Sequence, residues 1–119
     1  MPSDPGNRQG RPSRDARWIA ATVLGRVTED GAFASAALAA ELGRARPDRR
    51  DASLATEILY GTLRILPAID EILAPRLRKP LASLDPFARA VLRTAIYQLG
   101  ALDRVPARAV VHASVELVR

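Results

Sequence analysis

The sequence has no cysteine, one histidine and one lysine among its 119 residues. Without cysteine the chain forms no disulfide, no thiolate metal site and no cysteine nucleophile, and it fits a reducing compartment. His112 has no second histidine or cysteine with which to hold a metal ion, so no metal site is predicted. It stands four residues before Glu116, a spacing that favours a side-chain pair on a helix surface.

Long apolar runs are also missing. No run approaches the roughly 20 residues of a membrane-spanning helix, and the N-terminus lacks the apolar segment of a signal peptide. We therefore expect a cytoplasmic protein with no membrane contact. No glycine-rich loop follows a strand pattern, so no phosphate or dinucleotide cradle is predicted. No two acids suggest a general acid–base pair, and the sequence predicts no catalytic residue and no bound cofactor in this chain.

The charge is strongly basic and comes almost entirely from arginine. A net charge of +5 arises from 17 arginines and one lysine against 13 acids. A guanidinium group can grip phosphate at two points and stack on a base, which favours a nucleic-acid partner. The alternative is a GC-rich genome that encodes arginine in place of lysine, and the abundance of alanine and proline fits that alternative. Composition alone leaves both interpretations open.

The spacing of apolar residues predicts an all-α bundle of about six helices. Period-two alternation is absent, and 48% hydrophobic residues are enough for one small domain. Residues 1–12 (MPSDPGNRQGRP) predict a disordered basic tail, and residues 13–119 predict one helical domain. Ser13, Asp48 and Asp85 are the expected N-caps of the first, third and fifth helices.

The stretch Leu84 to Arg119 predicts two helices joined by a short break. The second is apolar over most of its circumference and must be enclosed by others, so we expect this pair at the centre of the core. Gly61 stands in the middle of the third helix, where glycine costs about 1 kcal/mol relative to alanine. A close contact with a neighbouring helix would explain it.

Arginine placement gives the candidate RNA-binding residues. A basic run enters the first helix, a second pair shares a helical line with Tyr97, and a third pair flanks the following turn. Such sets can hold phosphates and offer a ring to a base. The alternative is a solvated face with Tyr97 half-buried. The candidates are Arg14, Arg17, Arg89, Arg93, Arg104 and Arg108.

Three phrases resemble the NusB-like RNA-binding domain, and more narrowly the N-terminal domain of bacterial 16S rRNA cytosine-5 methyltransferases. They are YGTLR (Tyr60 to Arg64), LDPFARAVLRTAIYQL (Leu84 to Leu99) and VPARAVVHASVELVR (Val105 to Arg119). The resemblance covers Arg14 to Arg119. It implies a helical domain that positions an S-adenosylmethionine-dependent methyltransferase on ribosomal RNA. Free-standing relatives act in transcription antitermination and bind RNA together with a small ribosomal protein. A basic N-terminal helix forms part of their RNA surface, which matches Arg14 and Arg17 here.

Two departures from that pattern set further expectations. The catalytic domain, which would bind S-adenosylmethionine, is not in this sequence, so methyl transfer is not assigned to it. The family's closing helices, with a pattern like F-x-N-A-V-L-R, do not follow Arg119, so we expect a truncated domain. An apolar groove would then be uncovered, which predicts marginal stability or self-association.

Three functions follow as hypotheses. The first is an RNA-binding part of an rRNA methyltransferase, and the second is a stand-alone antitermination-type factor. The third, of another class, is a helical protein-interaction module whose arginines are incidental. The expected partners are RNA, above all ribosomal RNA, a ribosomal protein or a separate methyltransferase domain, and a second copy of the chain.

Overall fold

A computed structural model of the chain describes residues 15–101, and within that range every element of secondary structure is a helix. The helices are α1 (Ala16–Asp30), α2 (Ala34–Ala45), α3 (Arg49–Arg64), α4 (Leu66–Leu73) and α5 (Pro86–Ala101). Two 3₁₀ turns, Ala74–Arg76 and Leu81–Ser83, connect α4 to α5. The all-α prediction is confirmed. The predicted tail and the second helix of the central pair lie outside the described residues.

An aspartate caps each of the three longest helices. Asp15, Asp48 and Asp85 accept hydrogen bonds of 2.8–3.1 Å from first-turn amides of α1, α3 and α5. These amides have no partner inside the helix, so each cap satisfies a donor that would otherwise be lost. The predictions for α3 and α5 are confirmed. The prediction of Ser13 for α1 is wrong, because the Asp15 carboxylate takes that position and the helix starts at Ala16.

Helix α1 is enclosed by its neighbours. It packs against α2, α3 and α5, and burying one large aliphatic side chain contributes about 1.5–3 kcal/mol. The expected centre was the pair of helices after Leu84. Of that pair the structure describes α5, which shares the centre with α1. The α1 side chains that are at most 1% exposed are Ala16, Ile19, Ala20, Ala21, Val23 and Leu24.

Helices α1 and α5 run antiparallel, and a polar contact marks each end of the pair. Near the start of α1, Arg17 Nε donates to Gln98 Oε1 at 2.9 Å. Near its end, Glu29 Oε2 accepts from Arg89 Nη2 at 2.5 Å. A helix of 15 residues is about 22 Å long. The two ends of the bundle are therefore separated by roughly 20 Å.

Gly61 lies where α3 meets α5, in contact with the ring of Tyr97. A Cβ atom at this position would run into ring atoms Cζ and Cε1 and the phenolic oxygen. Gly61 is buried and Tyr97 is only 5% exposed, so the contact lies inside the bundle. The predicted close contact at Gly61 is confirmed, and it is made by an aromatic side chain.

The exchange of Gly61 for alanine tests this contact. An alanine normally stabilises a helix interior by about 1 kcal/mol relative to glycine, but Gly61→Ala should destabilise by about 1–3 kcal/mol because the ring must be displaced. Gly25→Ala is the matched control, since a Cβ there meets no atom within 4 Å and should stabilise the fold. Urea unfolding measures both. Equal stabilisation by the two variants would contradict the tight contact.

Candidate nucleic-acid interface

Three of the six predicted RNA-binding arginines fall within the described residues. Arg17 lies in the first turn of α1, and Arg89 and Arg93 lie one turn apart on α5. Arg14, Arg104 and Arg108 lie outside the described residues, so the geometry bears only on the first three.

Arg89 is held inside the bundle by four hydrogen bonds. Its Nη1 atom donates to the carbonyl oxygens of Leu81, Ala82 and Leu84 at 3.0–3.1 Å. Its Nη2 atom donates to Glu29 at 2.5 Å, and the residue is 8% exposed. The guanidinium therefore fastens the turn before α5 to both α5 and α1, and it presents little surface to a ligand.

Arg93 forms a two-pronged ion pair with Asp70 of α4. Nε donates to Oδ1 at 2.9 Å and Nη2 donates to Oδ2 at 2.8 Å, the parallel geometry that makes arginine–carboxylate pairs strong. The Arg93 side chain is 12% exposed. Tyr97 on the same line is buried against Gly61, so its ring is closed to a stacking base.

The prediction that Arg89, Arg93 and Tyr97 form an exposed face is therefore wrong. The three side chains face neighbouring elements of the bundle, where burial makes internal partners far more favourable than leaving a charge unpaired. Sequence spacing placed them on one helical line correctly, but spacing does not show that α4 and α1 each supply a carboxylate to that line. Their RNA-binding role stays a prediction that this geometry does not favour.

Arg17 sits at the opposite end of the bundle in a mixed environment. The side chain is half-buried and one of its N–H groups is engaged by Gln98. It also lies close enough to Asp15 and Asp51 to favour their charged forms. The N-termini of α1 and α3 therefore share one end of the molecule.

Three exposed arginines lie at the start of α3. Arg46 ends α2 in the left-handed region at φ 52°, and Arg49 and Arg50 form the first turn of α3. All three are exposed, and none forms an ion pair within the described part of the chain. We call Arg46, Arg49 and Arg50 the corner surface. The sequence analysis did not assign these residues to RNA, although the density of arginine in GRARPDRR was an available signal.

Two carboxylates close to the corner surface are perturbed. Burial raises the pKa of Asp15, against the opposing effects of the Trp18 amide and Arg17. Burial also raises the pKa of Asp51, and the neighbouring Asp48 adds to the effect, while Arg17 and Arg50 oppose it. Both groups hold protons more strongly in the folded state than in an unfolded chain.

Neither a metal-ion cluster nor a membrane-spanning helix lies within the described residues. Between residues 15 and 101 no group of three or more acids or histidines could hold a metal ion. In the same range no helix is both long and apolar enough to cross a bilayer. In this part of the chain no strand leads into a glycine-rich loop, and we derive no step through S-adenosylmethionine.

The hydrogen bonds of Arg89 predict a structural role that can be measured. Arg89→Gln should lower the free energy of unfolding by about 2–3 kcal/mol. This is less than the 3–5 kcal/mol of a fully buried broken pair, because the Glu29 side chain is one-third exposed. Arg64→Gln, at an exposed site without an ion pair in the described chain, should change it by at most about 0.5 kcal/mol. Denaturant unfolding compares the two. A weakened RNA complex with unchanged stability in Arg89→Gln would instead restore the RNA role.

The raised pKa of Asp15 predicts a pH-dependent stability. Protonation of Asp15 favours the folded state, so this contribution is fully present below the unfolded value of 3.8 and is lost as pH rises through the raised folded pKa. Asp15→Asn keeps a capping oxygen without the charge. It should be more stable than the unchanged chain at pH 7 and lose that advantage at pH 3. Asp85→Asn, at the exposed cap of α5, controls for the exchange of acid for amide. A constant difference across pH would contradict the prediction.

Comparison with known proteins identifies the family to which the chain is similar. Residues 14–119 match the NusB family. A probable ribosomal RNA small subunit methyltransferase B from Bacillus subtilis is 30% identical over 103 residues, covering 87% of this chain and 23% of the relative. The corresponding Vibrio vulnificus protein is 37% identical over 102 residues, covering 86% of this chain and 23% of the relative.

A relative with another name matches a shorter part. The transcription antitermination protein NusB of Halorhodospira halophila is 38% identical over 69 residues, covering 58% of this chain and 44% of the relative. The chain thus spans about a quarter of the length of the methyltransferases that it matches. Its family supports an RNA-binding role. With a helical fold and a family match that extends over nearly the whole chain, this protein belongs to the NusB family.

Proposed function

We propose that this chain binds ribosomal RNA and serves as the RNA-positioning part of an rRNA cytosine-5 methyltransferase. The observation that carries the proposal is the extent of the match. The methyltransferase relatives align with 86–87% of the chain, whereas the antitermination relative aligns with 58%. In this role the chain holds RNA, and methyl transfer from S-adenosylmethionine is carried out by a separate domain.

The corner surface is where we place the RNA contact. Arg49 and Arg50 occupy the first turn of α3, where the helix macrodipole is positive and a cation is unfavourable by a few tenths of a kcal/mol each. Their side chains are exposed and contribute no packing that would offset this. A polyanion bound at the same end would interact favourably with these cations and with the helix terminus together. Arg17, in the first turn of α1, would extend the same surface.

Stand-alone antitermination is the second candidate. It is supported by the relative named for that activity, which is 38% identical over the matched segment. Both candidates use RNA as the ligand and differ in which RNA is bound. A protein-interaction module differs from both, because an apolar groove binds its partner almost independently of salt, whereas phosphate contacts weaken steeply as salt rises.

Exchange of two corner arginines tests the RNA contact. Arg49→Gln/Arg50→Gln should weaken binding to a 16S rRNA fragment by roughly 25-fold at 0.1 M salt, if each lost phosphate contact removes about 0.7 from the log–log salt slope. The free energy of unfolding should stay equal or rise slightly, because the cations oppose the helix dipole. Fluorescence anisotropy over a salt series measures the affinity, and urea unfolding measures the stability.

The control removes the same charge elsewhere. Arg26→Gln/Arg64→Gln takes two exposed arginines from the middle of α1 and the end of α3, so general attraction falls equally while the corner surface is intact. Equal loss of affinity in the two double variants would contradict the placement. Salt-independent binding by the unchanged chain would contradict RNA binding altogether.

The two RNA roles are distinguished by identifying the RNA that the protein binds in the cell. Crosslinking in the cells that make this protein should recover fragments of mature small-subunit rRNA if the chain positions a methyltransferase. Recovery of leader segments of nascent transcripts would favour antitermination instead. A methyltransferase reading frame continuing after codon 119 would independently support the first role.

A further inference from the structure

A second basic surface lies in the segment between α4 and α5. Arg76, Arg78 and Lys79 are all exposed and stand within four residues of one another; we call them the 76–79 loop. The chain from residue 72 to residue 84 contains no acid. None of the three cations forms an ion pair within the described residues. Their mutual repulsion is therefore relieved only by solvent, salt or a bound anion.

Neighbouring acids do not neutralise this loop. Asp70, on the α4 side, is held by Arg93 through two hydrogen bonds. Asp85, on the α5 side, accepts two amides of the first turn of α5. Glu71 is exposed and is the one flanking acid without such a partner in the described chain. The loop thus keeps a net positive charge although the described bundle carries almost as many acids as cations.

The backbone of the loop is fastened at both ends. On one side, Leu77 N–H donates to the Ala74 carbonyl at 3.3 Å, and Arg76 Nη1 donates to the Ile72 carbonyl at 2.6 Å. On the other side, Arg89 binds the carbonyls of the turn that begins two residues after Lys79. Pro75 and Pro80 restrict φ on both flanks. A cationic segment fixed in this way loses little conformational entropy when it binds a ligand.

We propose that the 76–79 loop is a second contact for the phosphates of bound RNA, separate from the corner surface. The inference rests on the proposed RNA-binding function and adds a site to it. Arg89 ties the loop to the end of α1 that carries Glu29, whereas Arg17 and the corner surface lie at the other end. An RNA strand that contacts both surfaces must extend over about 20 Å, the length of α1.

Phosphate suits this loop better than a protein surface does. Protein interfaces are built around a desolvated apolar centre with few charges. Among the described residues the large exposed apolar side chain beside the loop is Ile72, at 44% exposure. Three cations without such a centre match a ligand that is recognised by its charge, and contacts of this kind do not depend on RNA sequence.

The test compares two double variants of the full chain. Arg78→Gln/Lys79→Gln leaves Arg76 and its bond to α4 in place. The probe is a fluorescein-labelled 20-nucleotide oligouridylate, because backbone contacts are independent of sequence. The log–log salt slope should become shallower by about 1.4, and affinity at 0.1 M salt should fall roughly 25-fold. Arg26→Gln/Arg64→Gln has the same net charge and should keep the slope of the unchanged chain.

A conservative variant separates charge from structure. Arg78→Lys/Lys79→Arg keeps both cations and should retain the original slope, and all variants should melt within a few degrees of the unchanged chain because the exchanged side chains are exposed. If Arg78→Gln/Lys79→Gln keeps the salt slope of the original chain, and the original chain binds RNA, the proposed contact at the 76–79 loop is overturned. The proposed function is then unaffected. An acidic protein partner would then be the better occupant. Failure of the unchanged chain to bind any RNA overturns both.

Discussion

The structure depends on the burial of the apolar side chains of one helix, α1. Six side chains of α1 are at most 1% exposed, and α2, α3 and α5 each cover part of its surface. Because hydrophobic burial has no direction, it draws the helices together without fixing how they are aligned. The alignment of the helices is set by contacts that can form in only one geometry. Tyr97 against the missing side chain of Gly61 sets the approach of α5 to α3, and the polar contacts at the two ends of α1 set the register of α5.

This arrangement divides the arginines into two groups with different roles. Arg89 and Arg93 lie inside the bundle, where each has a carboxylate partner from another helix. The cations of the corner surface and of the 76–79 loop are exposed on turns and helix starts, and none of them forms an ion pair in the described chain. Arg50 nevertheless lies close enough to Asp51 to favour its charged form. Net charge alone does not separate these groups, because an arginine in an ion pair and an exposed arginine count equally. For a polyanion the second group provides the attraction.

The 76–79 loop and the internal ion pair of Arg89 are linked through the backbone. Arg89 joins the turn before α5 to α1, and it thereby supports the segment beside the 76–79 loop. Loss of its hydrogen bonds would release that loop as well as weaken the core. An RNA-binding defect at Arg89 that accompanies a loss of stability would therefore be an indirect effect, which is why stability must be measured alongside affinity at this position.

The sequence by itself determined the helical class and two of the three aspartate caps, because each depends on spacing or on neighbours within a few residues. It also indicated a close contact at Gly61, but only the structure shows that the partner is Tyr97 of another helix. The resemblance of three phrases also identified the family. Only the tertiary structure decided that Arg89 and Arg93 are paired, since Glu29 and Asp70 are 60 and 23 residues away in the chain. It likewise decided that Tyr97 is buried and that Arg49 and Arg50 are open. Whether a charged side chain faces water or a partner depends on which helices pack beside it. The spacing of residues along one helix does not show which helices those are.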